Sequence, residues 1–257
     1  MSQHAAAAET LQDAVVLITG AASGIGRATA ELVGAAGASV MLADLKPDLL
    51  DTTAEALAAA GVRAEAFAGD VADEDDVQQM VDATHSAFGR IDGLVTSAGI
   101  EYAAPAMDMT VGQFDQVLRV NLTGTFLCAT AVARHLCGRD REGSIVTVSS
   151  ALAFSGRLNA AQYSASKAGV VALTKSLAME WGPSGVRVNS VAPGLISTAI
   201  TAEYPQEYLA EYAARAPLRR VGTAEDVGKV IRFLLSPDAG YVTGQTVVVN
   251  GGYLMPS

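Results

Sequence analysis

Seven short runs rich in Val, Ile, Leu and Ala recur along the chain, at 15–19, 39–43, 63–68, 93–97, 144–149, 187–192 and 246–250. Most are apolar at odd and even positions alike, so a strand made from one of them is apolar on both faces. Only a sheet covered on both sides tolerates that. Stretches with helical apolar spacing fill the gaps, at 24–36, 48–60, 73–88, 110–137, 161–181 and 223–235. Strands alternating with helices require right-handed crossovers between parallel neighbours. The expectation is therefore an α/β fold in which a seven-stranded parallel sheet is flanked by helices on both faces. Small side chains suit such close helix-on-sheet packing: 50% of residues are hydrophobic but only 5% aromatic.

At 257 residues the chain fits one domain. Residues 1–12, with their alanine run, are expected to form a flexible tail ahead of a single domain over 13–257. The stretch 195–217 breaks the alternation, with Pro205 and Pro217 around a short helical piece. A long excursion at the carboxyl end of a parallel strand is placed to cover a ligand, so a substrate-covering lid is expected there. A net charge of −10 argues against nucleic acid and anionic membrane surfaces as partners. No basic residue precedes Arg27, as a signal peptide would require, and no apolar run approaches a membrane span. A cytoplasmic protein is expected. Cys128 and Cys137 fall in one helical stretch about 13.5 Å apart, too far for a disulfide. The three histidines have no metal-ligand spacing, and no metal site is expected.

Gly20, Ser23, Gly24, Ile25 and Gly26 lie where the first strand turns into the first helix. Glycines there allow a tight turn, and a helix amino terminus offers free N–H groups to a pyrophosphate. Asp44 closes the second strand eighteen residues after Gly26. A carboxylate at that place accepts hydrogen bonds from adenosine ribose hydroxyls and repels a 2′-phosphate. NAD is therefore expected in preference to NADP, within a Rossmann-type doubly wound domain.

Tyr163 and Lys167 are one helical turn apart, and Ser150 lies thirteen residues before the tyrosine. A phenol is a weak base at neutral pH, but a nearby cation favours the phenolate. A tyrosine tuned in this way can act as general acid or base.

Taken together, these motifs resemble those of the classical short-chain dehydrogenase/reductase family, from about residue 12 onward. They are joined by Asp70-Val71 after the third strand, Asn121 in Val-Asn-Leu-Thr-Gly, and Pro193-Gly194 after the sixth strand. The resemblance implies that Ser150 orients the substrate oxygen and Tyr163 exchanges its proton. Lys167 would hold the nicotinamide ribose and lower the tyrosine pKa, and Asn121 would hold a proton-relay water. Asp70 and Val71 would meet the adenine, while Pro193, Gly194, Ile196 and Thr198 would line the nicotinamide. Where the family usually has Asn-Asn-Ala-Gly, this chain has Thr96-Ser97-Ala98-Gly99, which puts the usual bonding between the central strands in question. Ser97, Ala98 and Gly99 are still expected beside the cofactor ribose.

The implied activity is NAD(H)-dependent interconversion of a secondary alcohol and a ketone of a small molecule. By position, Glu101, Tyr102, Ser150, Leu152, Phe154 and Leu195 would form the substrate pocket. Glu101 could bond a second hydroxyl, which would favour a sugar or polyol. A 3-oxoacyl-acyl-carrier-protein reductase is the alternative within the family, and a non-catalytic nucleotide sensor is the alternative outside enzymology. A homotetramer is expected by analogy.

Overall fold

The computed structural model describes residues 11–137, 142–198, 201 and 204–256. Seven parallel strands form the central sheet: β1 (Val15–Thr19), β2 (Ser39–Asp44), β3 (Ala64–Ala68), β4 (Gly93–Thr96), β5 (Gly143–Val148), β6 (Val186–Pro193) and β9 (Thr246–Val249). Their order is β3-β2-β1-β4-β5-β6-β9, so the winding reverses between β1 and β4. Doubly wound sheets bind ligands outside the carboxyl ends of their strands at such a reversal.

Two apolar clusters sandwich the sheet. On one face α1 (Gly24–Gly34), α2 (Pro47–Ala59) and α9 (Ala224–Leu235) contribute Ala30, Val33, Leu50, Leu57, Ile231 and Leu234 to Val16, Ile18, Val40 and Val146. On the other, α3 (Glu74–Phe88), α5 (Gly124–Leu136) and α7 (Ala161–Trp181) bring Val77, Met80, Val132 and Leu177 against Leu17, Leu94, Ile145 and Val188. Both faces are covered, as the two-sided apolar strands require.

The expected helix over 110–137 is two helices. Helix α4 (Val111–Leu118) begins on a capping box between Thr110 and Gln113. A π-helical turn, Arg119–Thr123, then separates it from α5. The expected tail also ends earlier than residue 12. Leu11 is buried in the core and its N–H donates to Ala36 O, because an apolar side chain beside α1 is worth more buried than solvated. Residues 1–10 lie outside the described set.

After β6 the chain makes β7 (Ile196–Ser197), which pairs in parallel with β8 (Gly222–Thr223), and between them α8 (Gln206–Arg215). This small second ladder was not apparent from the sequence. It ties both ends of the 195–217 excursion, apart from residues 199, 200, 202 and 203, which lie outside the described set.

Candidate active site

The glycine turn is built by steric exclusion. Gly20 has φ +67° and lies so near β4 that a Cβ there would sit 2.7 Å from Ala98 N. A Cβ on Gly26 would sit 2.1 Å from Gly20 O, so only glycine lets the first turn of α1 fold onto the loop. Ser23 at the start of α1 makes no side-chain cap and no acid lies in the first turn, as is also true of α7. Unspent N–H groups with a positive helix end fit a pyrophosphate. Thr198 closes over the turn from the β6 side, its Cγ2 3.5 Å from where a Gly24 Cβ would be.

Asp44 stands beside this turn at the end of β2. Its Oδ2 accepts from Ala22 N at 3.1 Å and its Oδ1 from Lys46 N at 3.1 Å. Each oxygen keeps a lone pair to offer. Asp70 caps its own loop by accepting from Ala72 N, and Val71 packs beneath it against Gly124. The substitution Thr96-Ser97 does not uncouple the central strands. Ser97 N donates to Thr19 O and Ala98 N to Thr19 Oγ1, while Thr96 Oγ1 is buried without a partner.

Across the switch point, Ser150 follows β5 and its hydroxyl lies beside the Tyr163 phenol on α7, where it favours the phenolate. Lys167 is buried, with Nζ donating to Val148 O at 2.8 Å and lying 5.8 Å from the Tyr163 ring centre. Asn121 occupies the π turn, fully buried. It accepts from Ile100 N at 2.8 Å and donates to Ile100 O at 3.0 Å and Ser166 Oγ at 3.1 Å. It thereby clamps the loop after β4 to α7. Gly99 lies where that clamp meets the lysine: a Cβ there would be 3.2 Å from Asn121 Oδ1 and 3.5 Å from Lys167 Nζ.

The expected acidification of Tyr163 by Lys167 is not a property of the chain alone. Burial, then Glu101, pushes the phenol up to about 12 despite the opposing influence of the Ser150 hydroxyl. Burial pushes Lys167 down to about 8. Burial disfavours the charged form of both groups.

Pro193 O accepts from Ala151 N and Gly194 N donates to Val249 O, which fixes the end of β6. A Cβ on Gly194 would collide with Tyr212 Oη at 2.3 Å. Ile196 is buried in the core cluster of the α1 face. The turns therefore bring the sequence-selected residues to one end of the sheet.

This arrangement has close counterparts. A family model described as Enoyl-(Acyl carrier protein) reductase matches residues 20–254. The cis-4-hydroxycyclohexanecarboxylate dehydrogenase of Sinomonas cyclohexanicum is 42% identical over 246 residues, spanning 95% of this chain and 98% of that protein. The 3-oxoacyl-acyl-carrier-protein reductase of Thermotoga maritima is 38% identical over 95% of this chain and 99% of its own. A solved structure from Brucella melitensis, titled as a short-chain dehydrogenase/reductase of the glucose/ribitol dehydrogenase type, superposes with a TM-score of 0.91 at 37% identity. It covers 96% of this chain and 99% of that one.

The chain belongs to the short-chain dehydrogenase/reductase family.

It is accordingly an oxidoreductase, of a family that works with nicotinamide nucleotides. The substrate side of this short-chain dehydrogenase/reductase departs from the sequence expectation. Leu152 and Phe154 lie on the short helix α6 (Leu152–Ser155), and Leu195 N donates to Tyr212 Oη at 3.1 Å. Glu101, which by its sequence position could bond a second hydroxyl, is ion-paired with Arg157. Opposite charges sharing a half-buried wall pair rather than stay apart. Arg157 Nη1 also donates to Tyr204 Oη at 3.2 Å, and Tyr102 O accepts from Gln162 Nε2 at 2.7 Å. Arg157, Gln162 and Tyr204 were missed from the sequence. A lone arginine after Gly156 carries no spacing signal toward a carboxylate 56 residues away.

Proposed function

We propose that this protein is an NAD(H)-dependent dehydrogenase that interconverts a secondary alcohol and a ketone of a small molecule. The observation that carries the reading is Lys167 Nζ lying 5.8 Å from the Tyr163 ring centre, with Ser150 beside the phenol, on the crevice headed by the glycine turn. A bound nicotinamide ring supplies hydride acceptance or donation at this crevice. The protein's own part is to position and to move a proton. Ser150 orients the substrate oxygen; Tyr163 takes the hydroxyl proton during oxidation and returns it during reduction. Protonated Lys167 favours the phenolate and holds the ribose, and Asn121 fixes the loop against which both are set.

The preference for NAD rests on Asp44. Its carboxylate borders the turn, and the basic residue of the first helical turn, Arg27, is already engaged by Glu31 at 3.0 Å. A 2′-phosphate would meet a negative charge with little to offset it. Asp70, Val71, Ser97, Ala98, Gly99, Pro193, Gly194, Ile196 and Thr198 complete the proposed cofactor wall. Residues 195–217 serve as a lid over the substrate.

The match to the 3-oxoacyl-acyl-carrier-protein reductase of Thermotoga maritima supports a second reading, reduction of an acyl-carrier-protein thioester. Titration with NADH and NADPH, followed by turnover on secondary alcohols and on 3-oxoacyl thioesters, separates the two. Under the primary reading Tyr163→Phe abolishes turnover and leaves NADH affinity within about twofold, because the deleted hydroxyl serves the reaction more than the cofactor. Retained turnover refutes the assignment.

We also propose a cytoplasmic homotetramer. Exposed Phe126 on α5 and Met179 on α7 give two helices apolar surface to share with a second copy. A monomer mass by light scattering contradicts this. Among the described residues no helix is long and apolar enough to cross a membrane.

A further inference from the structure

Arg157 lies on the turn between Ser150 and Tyr163 and joins the segments that close the cavity. Its Nη2 donates to Glu101, on the loop after β4, and its Nη1 to Tyr204, ahead of α8. The Glu101 side chain is 14% exposed and that of Arg157 28%. Glu101, Arg157 and Tyr204 all act electrostatically on Tyr163, so the pair lies near the reacting phenol. A half-buried ion pair contributes little to stability after its desolvation is counted, so stability is a weak reason for placing one here.

The donor count shows what the guanidinium lacks. Arginine has five N–H donors. Two are engaged among the described residues, which leaves three without an acceptor. Next to Glu101, the Tyr102 hydroxyl is buried and likewise has no partner among the described residues. Leu152, Phe154 and Leu195, the residues expected from the sequence to line the substrate pocket, are apolar. Surplus donors thus stand near the reacting phenol, with apolar residues expected between.

We propose that Arg157 determines specificity by gripping a carboxylate, so that the substrate is a hydroxy acid whose alcohol carbon and carboxylate are separated by an apolar ring or short chain. The carboxylate takes the unspent N–H edge of Arg157 while the hydroxyl lies between Ser150 and Tyr163. Glu101 holds the guanidinium in place from behind, as one carboxylate can orient an arginine that binds a second. Glu101 neutralises Arg157, so a monoanion leaves one net negative charge on this half-buried wall and a dianionic phosphate two; the smaller charge costs less. The proposal rests on the site reading above for the position of the hydroxyl, but not for the grip itself.

The test uses the full chain, with cyclohexanecarboxylate as an unreactive probe. Calorimetric titration in the presence of NADH should show binding that weakens about 10- to 100-fold in Arg157→Gln, the loss of charge-assisted hydrogen bonds. Arg157→Lys should recover part of it, since an ammonium keeps the charge without the fork. In turnover, the ratio of kcat/KM for 4-hydroxycyclohexanecarboxylate to that for neutral 4-methylcyclohexanol should fall by a similar factor in Arg157→Gln. Absence of carboxylate binding by the unmodified protein overturns the proposal, even where neutral alcohols are oxidised. So does a substitution that weakens acid and neutral alcohol equally. Carboxylate binding that depends on Arg157 without NAD-linked oxidation of any alcohol upholds the grip and overturns the reaction assigned above.

Discussion

Replacing Lys167 with methionine removes a buried ammonium and keeps most of the side chain's length. In the cofactor-free protein burial brings this group from 10.5 to about 8. A base whose folded pKa lies below its unfolded one gives up its proton earlier in the native state. Between those values the unfolded chain binds more protons, so stability rises with pH. With the two values above, the rise attributable to Lys167 between pH 7 and pH 10 is about 2.5 kcal/mol. Tyr163 works the other way: its folded pKa of about 12 exceeds 10.0, so stability falls as the unfolded chain ionises above pH 10. That contribution is common to both proteins and largely cancels in the comparison. The assay is urea unfolding of the unmodified protein and Lys167→Met, without cofactor, at unit pH steps from 7 to 10. The stability difference between them should move toward the unmodified protein by about 2.5 kcal/mol over that range. A movement under about 0.5 kcal/mol means that Lys167 is not held below its ordinary range, and the electrostatic account of the site fails.

Gly26→Ala places a Cβ 2.1 Å from Gly20 O and 2.7 Å from Gly20 C, both backbone atoms. The expected cost is about 1–3 kcal/mol with loss of NADH affinity, read by thermal melting and by NADH fluorescence titration. Normal stability together with normal affinity refutes the steric reading of the turn. Asn121→Ala removes three hydrogen bonds of a buried side chain and strands Ile100 N–H, Ile100 O and part of the Ser166 pairing. Urea unfolding should show a loss of about 3 kcal/mol, and a loss below about 1 kcal/mol argues against the clamp.

The sheet was legible because its strands are apolar on both faces and its turns carry glycine where a Cβ has no room. Six helical stretches were legible from apolar spacing, and α7 begins and ends at 161 and 181 as that spacing predicts. The π turn was not. A single added residue leaves the spacing over 110–137 close enough to helical to read as continuous. The Ser150, Tyr163 and Lys167 cluster was legible because its members are linked by short, fixed spacings. The Glu101–Arg157 pair was not, because it forms across two loops whose approach only the tertiary fold determines. The raised tyrosine pKa was hidden for a related reason: the spacing to Lys167 shows proximity, whereas burial decides the sign.

The π turn has a consequence for the length of the chain. An α-helix rotates about 100° per residue, so one extra residue sets α5 out of phase with α4 by about that angle. The two helices continue in one rod yet present different sides to their neighbours, α4 meeting α7 and α5 meeting α3. Deleting any one residue of 119–123 would restore a uniform helix and swing one of the two faces off its partner. Either Asn121 would leave the loop after β4, or Cys128 and Val132 would leave the core. Residue substitutions at this place are local events, but a change of a single residue in length is an angular error that spreads through everything attached to the rod.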